Sequence, residues 1–306
     1  MKVLITGVNG FIGRRLAGAL AARSHAVIGF DLQPEPAVEG LEAYFEGSVL
    51  DAARLEEAIR GADAVVHLAA LTAHQDIVDN RFQTFEINFL GTKHVLDAFR
   101  QSKSAKKFLY SSTGKVYGTI QDLPISEEHP TIPLNALGKS KLMTEQLIDF
   151  YSGQGKEQII FRIFNVYGPG QKENFLIPTI LSQLESARAG SRVDIMLGDV
   201  EAARDYVYLD DVVEAFVQAL EGPGQPGLSI YNLCTGRATN AREIVSSIGG
   251  IMNLEIKIYV NKRLVRPDEM AVEYGSFERA RRQLGWTPRC SLEEGLKETI
   301  ENRCGR

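Results

Sequence analysis

Lys2-Val3-Leu4-Ile5-Thr6-Gly7-Val8-Asn9-Gly10-Phe11-Ile12-Gly13 opens the chain as a short apolar run ending in three glycines spaced three apart. The run reads as a buried strand, and a helical pattern from Gly13 to Arg23 follows at once, so the glycines occupy a strand-to-helix turn. Side-chain-free positions let the backbone turn tightly and come close to a ligand, while the amides at a helix start favour an anion such as a pyrophosphate. Glycines also mark ordinary turns, so the loop needs a second signal.

Asp31 supplies it. It closes the second apolar run, Ala26 to Asp31, eighteen residues beyond Gly13, where a carboxylate can accept hydrogen bonds from adenosine ribose hydroxyls. A 2′-phosphate would meet negative charge there, which favours NAD over NADP. Arg14 and Arg15 leave NADP open, and a plain strand-end cap is the bland alternative for Asp31.

Outward from this turn, short apolar runs alternate with longer amphipathic ones: Ala26 to Asp31 with Leu55 to Arg60, Ala64 to Ala69 with Phe89 to Gln101, Lys107 to Ser111 with Asn135 to Ser152, then Gln158 to Phe164. That rhythm predicts an α/β fold, a doubly wound parallel sheet of Rossmann type covered on both faces. After Pro169 the pattern loosens, with turns at Gly190, Gly198 and Gly222 to Gly227. The expected division is a dinucleotide-binding domain over 1–168, to which later segments can return, and a smaller mixed part over 169–306 that is mainly substrate-binding.

The 306 residues carry a net charge of -5 and a pI near 5.7, which argues against nucleic acid as a partner. Cys234, Cys290 and Cys304 are odd in number, with no C-x-x-C pair, so neither a disulfide framework nor a metal site is expected. No run reaches the length of a membrane helix and the first residues do not resemble a signal peptide, so no membrane partner and a cytoplasmic location are expected.

With Gly7 to Gly13, His67-Leu68-Ala69-Ala70, Asn88 with Gly91-Thr92, Ser111-Ser112-Thr113 before Val116-Tyr117-Gly118, and Arg162 to Gly170, the chain resembles the extended short-chain dehydrogenases, specifically the NAD-dependent epimerases and dehydratases of nucleotide sugars. Arg204-Asp205-Tyr206-Val207-Tyr208-Leu209-Asp210-Asp211, Arg266-Pro267 and Leu284-Gly285-Trp286-Thr287-Pro288 carry the likeness nearly to the C-terminus. The resemblance implies that Gly7, Asn9, Gly10, Phe11, Ile12, Gly13 and Asp31 bind the cofactor with Ser48, Val49, Leu68, Ala69, Ala70, Asn88 and Lys141. It implies substrate contacts from Asn165, Arg204 and Arg266, the arginines clamping phosphate oxygens. His67, on an apolar strand end, reads as a packed core histidine.

One position departs from the family. Where it carries Tyr-x-x-x-Lys, this chain has Leu137-Gly138-Lys139-Ser140-Lys141, so the lysine stays and the acid/base is lost. The dehydratases place Asp-Glu after the catalytic Ser or Thr, where this chain has Gly114-Lys115 after Thr113, which disfavours a standard 4,6-dehydration. The catalytic candidates are therefore Thr113, Lys141, Lys115 and the replaced position Leu137, with Lys115 the foremost substitute for proton transfer.

The function expected is an NAD-dependent nucleotide-sugar epimerase or related oxidoreductase that removes and returns hydride at a sugar carbon. The alternative is a catalytically impaired or non-catalytic homologue, or an engineered inactive variant. Helical stretches over 88–101 and 140–152 are apolar on more than one face, which predicts a homodimer.

Overall fold

The computed structural model describes residues 1–72, 80–153, 155–265 and 271–304. The chain begins β1 (Lys2–Thr6), α1 (Phe11–Ala22), β2 (Ala26–Asp31), β3 (Ala43–Glu46), α2 (Ala52–Ile59), β4 (Ala64–His67) and α3 (Arg81–Phe85). A π-helical turn, Glu86–Gly91, runs into α4 (Thr92–Gln101), followed by β5 (Lys107–Thr113), a 3-10 turn at Gly114–Val116, α5 (Ala136–Phe150) and β6 (Glu157–Ile163). The remainder is β7 (Asn165–Tyr167), α6 (Leu176–Gln183), β8 (Arg192–Leu197), β9 (Ala203–Tyr208), α7 (Leu209–Glu221), β10 (Gly227–Leu233), β11 (Ala238–Asn240), α8 (Ala241–Met252), β12 (Glu255–Val260), β13 (Val272–Glu273), α9 (Glu278–Leu284) and α10 (Leu292–Cys304).

Among the described residues the main sheet has seven strands in the order β10-β6-β5-β4-β1-β2-β3, paired in parallel throughout. The central strands are apolar without alternation because helices cover both faces: β4 is buried at every residue, and β1 at all but its first. One face packs Leu16 and Leu20 of α1 against Val212 and Phe216 of α7, and the other packs Leu55 of α2 against Leu96 and Phe99 of α4. β3 escaped the sequence pattern because it spans four residues, none of them fully buried.

Two lysines at the N-terminal ends of β5 and β6 fasten helices on opposite faces. Lys107 Nζ donates to the carbonyls of Ala219, Leu220 and Gly222 at 2.9, 2.9 and 2.7 Å, closing α7. Lys156 Nζ donates to those of Phe99, Arg100 and Ser102 at 2.5, 3.3 and 2.7 Å, closing α4. A cation there satisfies orphan carbonyls and meets the negative end of the helix dipole.

Beyond the sheet's C-terminal edge, β9 joins β11, β13 and β7, while β8 and β12 form a separate parallel pair. The chain leaves β6 at Ile163 and enters β7 at Asn165, so this second body begins one residue from the main sheet. Asp205 locks the junction: its buried carboxylate accepts from Thr235 N and Oγ1, both at 2.7 Å, from Gly236 N at 2.9 Å and from Gly275 N at 3.3 Å. Trp286 locks the far end, fully buried with Nε1 donating to Asp211 O at 2.7 Å.

Candidate functional site

The glycine turn has no room for side chains. Gly7 sits at φ +73°, and a Cβ there would stand 2.8 Å from Ala69 N. A Cβ on Gly13 would meet Gly7 O at 2.2 Å, and one on Gly10 would meet the same oxygen at 3.0 Å. α1 starts at Phe11 with no side-chain cap and no acidic residue in its first turn, so its leading amides are open to an anion. Asp31 stands beside this turn and accepts from Asn9 N at 2.9 Å and Gln33 N at 3.3 Å. A cradle whose Gly7 and Gly13 have no room for a Cβ, an uncapped helix start and a carboxylate at the neighbouring strand end fit a dinucleotide with free ribose hydroxyls.

Several cofactor candidates play supporting parts. The Asn9 amide is spent on the β2–β3 connection and β3, donating to Gln33 Oε1, Glu35 O and Tyr44 OH at 3.2, 3.0 and 3.1 Å and accepting from Ala37 N at 2.7 Å. Phe11 and Ile12 pack half-buried on the core. Ser48 Oγ accepts from Leu50 N at 3.2 Å, and Val49 fills the space in front of Gly91, where a Cβ would lie 2.5 Å from Val49 Cγ2. Leu68, Ala69 and Ala70 follow β4 half-buried, Leu68 N donating to Thr6 O at 3.1 Å. Asn88, 1 % exposed on the π-helical turn, accepts from Leu71 N at 2.8 Å and donates to Leu71 O at 3.0 Å and to Ser140 Oγ at 3.3 Å. The wide turn thus aims one amide at both the strand-end loop and α5.

His67 belongs to the core. Thr92 Oγ1 donates to Asn88 O at 2.6 Å, so at 2.9 Å it accepts from His67 Nε2, leaving Nδ1 to accept from Thr6 Oγ1 at 2.6 Å. Burial, and then the charge of Lys141, push His67 down to about 3, so it stays neutral and fixed.

Leu137, Lys141 and Glu145 follow one another at intervals of four along α5, which puts them on one face. Asn135 Oδ1 caps the helix by accepting from Gly138 N at 2.8 Å. Lys141 is 3 % exposed, donates to Ser111 O at 2.7 Å and lies 4.6 Å over the Tyr110 ring. Burial pushes its ammonium down to about 7, against the opposing pull of Glu145. Glu145 pairs with Arg162 of β6, whose Nη2 donates to Oε2 at 2.7 Å and whose Nε lies 3.2 Å from both oxygens, and Ser112 Oγ donates to Oε1. Arg162 Nη1 also donates to Tyr117 OH at 3.1 Å, and that hydroxyl donates to Asn232 Oδ1 at 2.6 Å.

Thr113 ends β5, and its Oγ1 accepts from Lys115 N at 3.2 Å. The hydroxyl keeps its proton and a lone pair for a ligand. The turn that follows is seated directly on α5, since a Cβ on Gly138 would stand 2.4 Å from Lys115 O. The Lys115 backbone therefore packs against Gly138, the residue after Leu137. Lys115 Nζ lies 2.7 Å from Glu273 Oε2, and Arg204 Nε approaches the same oxygen at 3.7 Å.

On the facing body Asn165 Nδ2 donates to Asp205 O at 3.2 Å, and Arg204, 7 % exposed, donates from Nη1 to Ala203 O at 2.9 Å. Arg266 lies outside the described residues. No group of His, Cys, Asp and Glu suited to a metal occurs among the described residues. Reading the sequence missed Glu145, which its spacing four beyond Lys141 could have revealed, and Glu273, which is 158 residues from Lys115 and carries no local signal.

The family described as GDP-mannose 4,6 dehydratase matches residues 4–299. GDP-6-deoxy-D-mannose reductase of Pseudomonas aeruginosa is 30% identical over 306 residues, covering 98% of this chain and 96% of its own. UDP-glucose 4-epimerase of Thermus thermophilus, solved with NAD, superposes with a TM-score of 0.85 at 28% identity, covering 99% of this chain and 98% of that one. The Pseudomonas aeruginosa protein RMD, solved with NADPH, gives 0.85 at 28% identity over 99% of both chains. With the glycine cradle, the parallel sheet and a match from residue 4 to 299, the chain belongs to the NAD-dependent epimerase/dehydratase family of extended short-chain dehydrogenases.

Proposed function

We propose that this protein is an NAD-dependent enzyme that moves hydride at a carbon of a nucleotide sugar, with Leu137 in the place of the family's tyrosine and Lys115 carrying the proton. The observation that supports this reading is the seating of the Thr113–Lys115 turn on α5 at Gly138, the residue after Leu137, with the Lys115 amine reaching the facing body at Glu273. Relatives and structural neighbours are nucleotide-sugar reductases and epimerases, which supports the substrate class.

NAD would rest on Gly7, Gly10 and Gly13, with its pyrophosphate at the start of α1 and its adenosine ribose on Asp31. Bound there, it supplies an acceptor and a donor of hydride. Lys141, fixed by Ser111 O, would take the nicotinamide ribose, and Asn88 holds the strand-end loop beside it. Thr113 would hold the reacting oxygen of the sugar, Leu137 would exclude water from the pocket, and Lys115 would exchange the proton. Asn165, Arg204 and Arg266 would receive the sugar or diphosphate from the other body. The cofactor-binding part comprises 1–168 with β10 and α7 returning to it, and the rest of 169–306 binds substrate.

The helical stretches over 88–101 and 140–152 would pair with a second copy: on α5 Phe150 and Met143 are 84% and 41% exposed, Leu90 on the π-helical turn is 37% exposed, and Phe82 on the preceding α3 is 90% exposed. No helix among the described residues is long and apolar enough to cross a membrane, in keeping with the proposed cytoplasmic site of action.

Leu137 favours one rival, a homologue that binds cofactor and nucleotide without turnover. Incubation with NAD or NADH and a panel of UDP-, GDP- and dTDP-sugars, with products read by NMR and mass, separates the two. A new sugar product supports the enzyme; tight binding of a nucleotide sugar with no product across the panel supports the rival.

A further inference from the structure

Asn9 stands in the glycine turn, yet its amide serves the chain that follows β2. The residue is 9 % exposed, its two N–H groups are shared among Gln33 Oε1, Glu35 O and Tyr44 OH, and its Oδ1 accepts from Ala37 N at 2.7 Å. The Tyr44 hydroxyl completes this hub by donating to Gln33 O. One residue of the turn and one of β3 thus hold the segment 33–37 from two sides, although the segment itself is exposed. Beyond it Val38 and Leu41 pack on the core, and Gly29 of β2 makes the room: a Cβ there would stand 2.9 Å from Leu41 Cδ1 and 3.0 Å from Tyr44 Cδ2.

Asp31 belongs to the same hub. Its Oδ2 accepts from Asn9 N at 2.9 Å and its Oδ1 from Gln33 N at 3.3 Å, which orients the carboxylate and leaves each oxygen a lone pair for a ribose hydroxyl. An added phosphate would find little to hold it. Pro34 and Pro36 have no N–H, Gln33 N is given to Asp31 and Ala37 N to Asn9, so of the amides over 33–37 only Glu35 N is left to meet an anion. Residues 31–46 carry Asp31, Glu35, Glu39, Glu42 and Glu46 with no lysine, arginine or histidine. Cations on neighbouring elements are drawn elsewhere: Arg15 forks onto Asp210 of α7 at 2.6 and 2.5 Å, and Arg54 is held by Glu46 O and Glu57 at 3.1 and 2.6 Å. Arg14 reaches the other body, where a Cβ on Gly170 would stand 3.5 Å from its Nη2.

We propose that Asn9 and Tyr44 are positioning residues that set the choice of dinucleotide: by fixing 33–37 with its amides engaged, they keep the adenosine ribose site open to a free diol and closed to a 2′-phosphate. This rests on the place given above to the adenosine ribose at Asp31. An unfastened loop could turn its amides toward a phosphate and carry its carboxylates away, whereas the hub holds both where they are. Loss of either hub group also lets Asp31 and the loop sample other arrangements before the ribose can be held, which weakens NAD. NAD and NADP differ only in the 2′ substituent, so the ratio of their affinities reports this site and is insensitive to a general loss of stability.

Calorimetric titration of the full chain with NAD and with NADP gives that ratio for the wild type, Asn9→Ala, Tyr44→Phe, Asp31→Ala and Tyr44→Phe combined with Asp31→Ala. Tyr44→Phe keeps the ring on the core and carries the test should Asn9→Ala fail to fold. Each hub variant should weaken NAD about fivefold or more and NADP less than about twofold, which narrows the ratio. With Asp31 already replaced, Tyr44→Phe should narrow it by less than about twofold further, since the two act through one arrangement. Equal weakening of both dinucleotides, unchanged affinities, or full additivity with Asp31→Ala overturns the inference while the ribose placement stands. A ratio that Asp31→Ala leaves unchanged, or a wild type that binds NADP as tightly as NAD, overturns both.

Discussion

Removing the charge of Glu145 should destabilise the protein by about 3–5 kcal/mol, far more than the loss of one ordinary hydrogen bond. Glu145 and Arg162 are 4 % and 5 % exposed, so water neither screens the pair nor takes over when it breaks. Three contacts of 2.7, 3.2 and 3.2 Å join them, a forked geometry that is strong in a dry interior. Glu145→Gln keeps the shape but strands a guanidinium that cannot shed its proton, and Arg162→Met strands the carboxylate. Each single change leaves a buried charge unpaired, whereas Glu145→Met with Arg162→Met leaves none, so the double variant should cost less than either single one.

Urea unfolding followed through Trp286, the one tryptophan of the chain and fully buried, reads all four proteins on one scale. Single variants that lose under about 1 kcal/mol, or a double variant whose loss equals the sum of the two, would refute the reasoning. Either result would mean that water or a neighbouring group reaches the pair.

Lys141 titrates near 7 when folded and at its ordinary value when unfolded, so between those values the unfolded chain binds the extra proton and stability rises with pH. The cofactor-free protein should gain up to about 2 kcal/mol from this group between pH 7 and 9, and Lys141→Met should remove that part of the slope in urea titrations; equal slopes in both would disprove the shift. Calorimetry should show NAD binding more tightly than NADP, with Asp31→Ala narrowing the gap, and equal or tighter NADP binding by the wild type would contradict the role of Asp31. Lys115→Ala should lower kcat about 10²- to 10⁴-fold, while Leu137→Tyr should change it little; a rise with Leu137→Tyr and tolerance of Lys115→Ala would show that Lys115 does not carry the proton. Sedimentation at micromolar concentration should give a dimer that Phe150→Glu with Met143→Glu dissociates, and a strict monomer in the wild type would exclude the proposed pairing.

The central sheet was legible in sequence because its strands are buried on both faces and punctuated by glycine and carboxylate at their C-terminal ends, where the chemistry of a dinucleotide demands them. Gly7, Gly10, Gly13 and Asp31 could be read for the same reason: one local stretch supplies both the turn and its partner strand. Long-range pairs could not. Glu273 meets Lys115 only because β13 lies beside β9, and the sheet of which β9 is the centre contains strands of two and three residues, too short for periodicity. β10 and α7 pack on the first half of the chain although they follow Pro169, a return that residue patterns mark as strand and helix but do not place.

Position 137 can change without disturbing the fold because what holds α5 lies elsewhere. The helix is capped by Asn135, seated on the Lys115 carbonyl at Gly138, tied to the π-helical turn through Ser140 and Thr144, and pinned to β6 by Glu145. None of these contacts involves the Leu137 side chain, and leucine is a better helix former than tyrosine. Exchange of a phenol for leucine therefore alters proton chemistry while leaving Lys141 on its anchor and the glycine cradle intact. On the proposed reading, a site in that state keeps the glycine cradle, Lys141 and Thr113 and needs another proton carrier. The group proposed to fill that lack is the amine of Lys115, on the turn that α5 itself supports, and a carboxylate on the opposite body is in contact with it.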